Sequence, residues 1–314
     1  DWRHKSSINI QLESFDVNLA QAFKLTVETY RKSWRHEAQR KLSESMDWVV
    51  GVDHQQTTYN VFGKASGRPQ EGSGPGSFAR TETTEFDSPG VFFRPGAYSE
   101  LRLKQGVWES LLGFRVDTDG ANWAVYPQPR FLTKRFLKDK RFDLRFGLGV
   151  YSQPPRPDET VAPFGNPQLF WEHAGHVQVG GGFTNPNGFS VESSVFGKRV
   201  IDAVGNAVEQ DEAAGTQGVG GLANVGLMRG YGLELLIRQR KADYPVSGFL
   251  AYTLSRSERQ EREDADWRLF SFDQTHVFTA VASYKWTARF STGFRYRYAS
   301  ANPETPNLGS VFDT

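Results

Sequence analysis

The chain has 314 residues, no cysteine, a formal net charge of +1 and only 38% hydrophobic side chains. The lack of cysteine excludes disulfides, thiolate metal sites and a cysteine nucleophile, and charges of both signs interspersed without a basic block argue against nucleic acid as a partner. No apolar run approaches the roughly 20 residues of a membrane-spanning helix. Aromatic residues nonetheless reach 14% and glycine numbers 31, a composition suited to strands, tight turns and interfacial belts.

The opening stretch DWRHKSSINIQL has neither the apolar segment nor the cleavage site of a secretion signal, so the chain is expected to be a piece of something longer. Two strands come first, with Ile8, Ile10 and Leu12 alternating with Asn9, Gln11 and Glu13, and Phe23, Leu25 and Val27 with Lys24, Thr26 and Glu28. A third is expected over Asp47 to Tyr59. The Gly, Pro and Ser content of the segment from Gly63 to Gly90 predicts a long loop. A hairpin then turns at Lys104, Gln105 and Gly106 and returns with Trp108, Ser110, Leu112, Phe114 and Val116 on one face. FDLRFGLGV sets Phe142, Leu144, Phe146, Leu148 and Val150 against Asp143, Arg145, Gly147 and Gly149.

Further connections alternate in length, long at 152 to 170, 203 to 228 and 257 to 272, short at 183 to 188, 240 to 247 and 286 to 289. The last strand, FSTGFRYRY, sets Phe290, Thr292, Phe294, Tyr296 and Tyr298 against Ser291, Gly293, Arg295 and Arg297. Faces divided between oil and water, joined by alternating short and long connections, are the pattern of an all-β, antiparallel, up-and-down transmembrane β-barrel. With short turns periplasmic, Trp108, Tyr284 and Trp286 belong to the periplasmic rim and Tyr231, Tyr296 and Tyr298 to the outer one, all facing lipid.

From Phe131 to Pro306 the chain resembles the C-terminal part of the barrel of a TonB-dependent outer-membrane receptor. The resemblance is carried by GLGVYSQPPRP followed by FGNPQLFWE (Phe164 to Glu172), ESSVFGKRVID (Glu192 to Asp202), NVGLMRGYGLELLIR (Asn224 to Arg238), AYTLSRSE followed by FDQTHVFTAVASYKW, and ANPETP. Trp171 stands where the family usually has proline, and residues 1 to 120 match in pattern only. The resemblance implies one partial barrel domain over residues 1–314, about 13 of the 22 strands of such a barrel, roughly strands 7 to 19, with the N-terminal plug absent. It also implies residence in the Gram-negative outer membrane among its lipids, uptake of a scarce small ligand such as a siderophore, energy supplied by the TonB complex through the plug, and no enzymatic activity. A passive porin and a soluble β-sandwich binding module are the alternatives.

Strand parity points Arg145, Glu234, Arg238, Arg295 and Arg297 into the lumen, where charge is tolerated. They are candidate ligand contacts; the plainer account pairs them with one another or with the plug, least so for Arg295 and Arg297 nearer the outer mouth. No cofactor or metal is expected: His173 and His176, three apart on a strand, fall on opposite faces. Asp273 to His276 lacks an adjacent serine nucleophile and reads as a strand start. GTQGVGG (Gly215 to Gly221) lacks the lysine of a phosphate loop, and the acidic stretch Glu261 to Asp266 reads as a solvated outer loop rather than a calcium site.

Overall fold

The computed structural model describes residues 1–19, 23–65, 84–121, 123–137, 139–161, 165–206, 222–240 and 244–303. Alternating side chains favour extended backbone throughout, and the strands are β1 (Trp2–Leu19), β2 (Phe23–Ser43), β3 (Met46–Ala65), β4 (Thr84–Gln105), β5 (Trp108–Thr118), β6 (Val125–Leu137), β7 (Phe142–Gln153), β8 (Glu172–Thr184), β9 (Phe189–Asn206), β10 (Leu222–Gln239), β11 (Val246–Gln260), β12 (Arg268–Leu269), β13 (His276–Lys285) and β14 (Ser291–Ala299). One turn of helix, α1 (Pro157–Thr160), interrupts them, and no described helix is long and apolar enough to cross a membrane.

Each strand pairs antiparallel with the next in sequence, giving one sheet in the order β1 to β11, then β13 and β14, with the two-residue β12 attached beside β11. Among the described residues nothing pairs β1 with β14, so the sheet is an open part of a barrel. Register carries each residue row across many strands. Phe146, Val179, Val195, Leu233 and Leu254 stand opposite one another on successive strands from β7 to β11, and every one is exposed. Shifted by one residue, the neighbouring row reads Lys134, Arg145, Gly180, Ser194, Glu234, Thr253. Because strand side chains alternate, the first row lies on the convex face and the second on the concave face. An exposed apolar face of this extent marks a surface made to contact lipid or another protein.

The expected aromatic belts lie on the outer face, with Trp108, Tyr231, Tyr284, Trp286, Tyr296 and Tyr298 all exposed. Several element limits differ from the sequence expectation. The third strand runs over Met46–Ala65 rather than Asp47 to Tyr59, and the loop expected from Gly63 to Gly90 is strand at both ends. The loop expected at 203 to 228 is likewise strand as far as Asn206 and again from Leu222, and β11 continues to Gln260. The physical reason is shared: a strand needs only about 9–11 residues to cross the bilayer, and beyond it the ladder continues where no lipid face enforces alternation. The β4–β5 turn is Gly106–Val107, with Gln105 already paired to Trp108. A positive φ of 61° at Gly106 followed by a non-positive φ at Val107 is the II′ arrangement, which puts glycine first.

Two features shape the outer end. Pro127 and Pro129 occupy β6 positions paired to β5 on one side only, because pairing with β7 begins at Arg130 opposite Gly149. A proline has no N–H for the missing ladder, so β6 and β7 part above that point. On β9, Asp202 takes a left-handed φ of 58°, and the register with β10 shifts around Gly226, a bulge that turns Asn224 toward the incoming loop. The segment between β7 and β8 folds back against the wall, α1 reaching β3. Here Val161, Leu169, Trp171, Val200, Ala203 and Val204 are buried.

Candidate functional site

The concave face carries three groups of polar side chains at different heights. Lowest, a few residues above the short turns, Glu192 of β9 bridges two arginines, accepting from Arg145 Nη1 at 2.5 Å and from Arg238. Arg145 also binds Asp143 through Nε at 2.5 Å, and Lys134 approaches the same carboxylate at 3.6 Å. Glu234 accepts a bond from Ser194 at 3.3 Å, and Ser194 accepts one from Gln178 at 2.9 Å. Lys134, Arg145, Gln178, Glu192, Ser194 and Glu234 border a groove of about 730 Å³ along the inner wall. Of the five charged residues singled out from the sequence, Arg145 and Arg238 are therefore joined, but through Glu192 and not through Glu234. Strand register decides this, since Glu192 sits on β9, next to β10, and opposite Gly182 of β8, which has no side chain to stand between Glu192 and Arg145 of β7.

Arg295 and Arg297 face the lumen from β14, opposite Val281 and Thr279. Both are exposed, and neither makes an ion pair among the described residues.

Midway up, Arg115 grips Asp53 through two bonds of 2.8 Å and holds Asp117 through Nε at 2.7 Å. Arg35 adds a contact to Asp53 at 3.3 Å, Gln128 donates to Asp117 at 2.5 Å, and Tyr98 donates to Glu37 at 2.8 Å. The forked geometry suits guanidinium to carboxylate, and the group stitches β2 through β6. Tyr98 lies across Gly51, where any Cβ would come within 2.3 Å of its ring.

Highest, and missed from the sequence, is a buried cluster seated in the split between β6 and β7. Trp171 stacks on Tyr126 with centroids 4.4 Å apart and planes within 8°. Its indole N–H donates to Asp119 Oδ2 at 2.9 Å and its backbone N–H to the Tyr126 hydroxyl at 3.3 Å. Both rings are only 4% exposed. Asn224, placed by the β9 bulge, holds the loop by accepting from Phe170 N at 3.0 Å and donating to Phe170 O at 2.9 Å and Asp202 O at 2.8 Å. Beside this cluster the Arg94 guanidinium lies over Phe92 at 4.6 Å and Trp171 at 5.7 Å. The partners of Trp171 are more than 40 residues away in sequence, and no local signal marks them.

The remaining motifs have structural partners. His173 bonds Ser152 Oγ at 2.9 Å, while His176 packs on Tyr151 at 4.8 Å. Asp273 accepts from Ser257 N at 2.7 Å and Thr275 at 2.9 Å, and His276 bonds the Tyr252 hydroxyl at 2.9 Å. Within the acidic stretch, Glu261 pairs with Arg259 at 3.0 Å and with Arg268, and Arg262 with Asp264 at 3.0 Å. GTQGVGG (Gly215 to Gly221) and the segment 66–83 lie outside the described residues.

No protein-family model matches the sequence, and no curated protein sequence matches it either. Among solved structures the chain is similar to the FrpB iron transporter from Neisseria meningitidis (15% identity, TM-score 0.63, covering 88% of this chain and 43% of that one). It is similar also to the pyoverdine outer membrane receptor FpvA from Pseudomonas aeruginosa PAO1 bound to pyoverdine (10%, 0.69, 96% and 51%) and to the siderophore receptor PirA from Acinetobacter baumannii (15%, 0.63, 96% and 48%). The chain thus spans about half the length of these proteins. At such identities the likeness is one of fold: the chain has the fold of part of the barrel of TonB-dependent outer-membrane receptors.

Proposed function

We propose that this chain forms part of the barrel of a receptor that takes up a scarce small ligand, such as a metal chelate, across the outer membrane of a Gram-negative bacterium, with energy delivered by TonB through a plug, and that it is not an enzyme. The observation that carries this reading is the pair of adjacent residue rows, one apolar and exposed over five strands, the next polar and charged. Such a wall separates lipid from an aqueous lumen. A soluble sandwich would need a second sheet over the apolar face, and the described residues form one sheet.

The lumen charges divide by height. Arg145 and Arg238, neutralised by Glu192 near the short turns, are suited to seating a plug. Arg295, Arg297 and Glu234 keep donor or acceptor capacity for plug or ligand. Absence of cysteine makes the test clean. Leu148→Cys and Ser194→Cys, spin-labelled in outer-membrane vesicles, report accessibility to oxygen and to a water-soluble nickel chelate. Leu148 is expected to favour oxygen and Ser194 the chelate; equal preference at both sites overturns the barrel. For transport, cells carrying the full reading frame are offered a panel of ferric chelates. Uptake abolished by a protonophore supports the receptor, whereas uptake indifferent to it indicates a porin.

A further inference from the structure

On the wall formed by β2 to β6, Arg31, Arg35, Arg115 and Arg130 each face a carboxylate, and Arg94 does not. It makes no hydrogen bond and no ion pair among the described residues, although Asp119 and Arg31 are near enough to act on its charge. Phe92 covers one approach to its plane at 4.6 Å and Trp171 lies at 5.7 Å. Its Nε is enclosed without a partner, while the two terminal nitrogens, which have no partner among the described residues either, are not fully enclosed. A positive charge this withdrawn from solvent, with two rings beside it and its terminal nitrogens unpartnered, lacks a paired counter-ion, since Asp119 acts on it only from beyond ion-pair distance. Arg31 compounds the deficit. Its Nε is also enclosed and unpartnered, and its terminal nitrogens are held only by Gln11 at 3.2 Å and Glu13 at 3.9 Å.

We propose that the free edge of Arg94, backed by the charge of Arg31, is a binding site for a carboxylate group of a small ligand. Two parallel N–H donors in one plane select a planar, two-oxygen anion over a spherical one. Tyr59 and Phe92, stacked at 4.6 Å, supply apolar surface beside the edge for the body that bears the carboxylate. Trp171 and Tyr126, fully packed, serve as the rigid back of the site and hold the guanidinium in place. The assignment deepens the uptake reading by giving its ligand a chemical class, and it rests on the concave face being an aqueous vestibule.

The test uses the whole chain in detergent micelles and titration calorimetry, with benzoate as probe and benzamide as its neutral isostere. Benzoate is expected to bind saturably and benzamide not. Arg94→Gln and Arg94→Lys should each weaken benzoate at least tenfold, the lysine variant because it keeps the charge and loses the fork, and Arg31→Gln should weaken it a few-fold. Variants are first matched to the parent protein by protease digestion pattern, and the lysine variant serves if the glutamine one misfolds. The proposal is overturned by benzoate affinity within twofold of the parent in either Arg94 variant, by equal binding of benzamide, or by inorganic phosphate binding where benzoate does not. If Leu148 and Ser194 label as expected and benzoate fails, only the carboxylate site falls; if they do not, the vestibule falls whatever benzoate does.

Discussion

Placing an arginine at Leu148 tests the membrane assignment where it is most exposed to failure. Leu148 is 53% exposed on the outer face of β7, between Phe131 of β6 and Val177 of β8. It lies six positions above Phe142, where the strand begins. At about 3.4 Å per residue and a tilt of about 40°, that is a rise of roughly 15 Å, close to the middle of an apolar band about 25 Å tall. Arginine at such depth costs about 2–4 kcal/mol, and losing the leucine surface now given to lipid adds about 1 kcal/mol. Leu148→Arg should therefore destabilise the folded state by about 4 kcal/mol. The control is Gln178→Arg on the concave face, which forfeits a bond to Ser194 at 2.9 Å but brings a cation toward Glu234. Its net change should stay within about 1 kcal/mol. Both are read from reversible urea unfolding in phospholipid vesicles, followed by tryptophan fluorescence. Equal costs at the two sites, or a larger cost at Gln178, would refute the division of faces.

Two further expectations follow from the lumen and the outer cluster. Glu192→Gln removes the carboxylate shared by Arg145 and Arg238; Arg145 retains Asp143, whereas Arg238 loses its ion pair. Since the three side chains are 22–41% exposed, solvent screening cuts the loss to about 1–2 kcal/mol, and a double variant with Arg238→Gln should recover part of it in the same unfolding assay. Trp171→Phe keeps the stack on Tyr126 but strands the buried Asp119 carboxylate, which is left with Ala121 N at 3.0 Å. A cost of about 2–3 kcal/mol and faster proteolytic cleavage between β7 and β8 are expected; an unchanged cleavage rate would mean that the indole does not anchor the loop.

The membrane-crossing part of the wall was legible because parity there is unambiguous. In β7 every second residue from Phe142 to Val150 is apolar, and in β14 the arginines and tyrosines fall on opposite faces. Outside the bilayer no lipid face enforces alternation, so Gly63 to Ala65 and Ala203 to Asn206 read as loop although their backbone is paired, and Ala203 and Val204 are buried. Sequence also placed Arg145 and Arg238 on the correct face without identifying Glu192 as their partner. Which residues meet on a sheet depends on cross-strand register, which turn lengths set and alternation does not reveal. Trp171 and Arg94 were further out of reach, since their surroundings exist only after the β7–β8 segment has folded into the split that Pro127 and Pro129 open.

The strands differ in height. β2, β3 and β4 have 21, 20 and 22 residues, while β13 and β14 have 10 and 9. With the short turns level at the periplasmic side, this drops the rim by roughly 30 Å from one flank to the other, at about 3.4 Å per residue and a tilt of about 40°. Within the described sheet the wall is therefore a slope, high at β2 to β4 and low at β13 and β14. On the proposed uptake reading, the tall flank is the one that carries Arg94 and the low flank the one that carries Arg297, so positive charge unpaired among the described residues stands at two different heights of the wall.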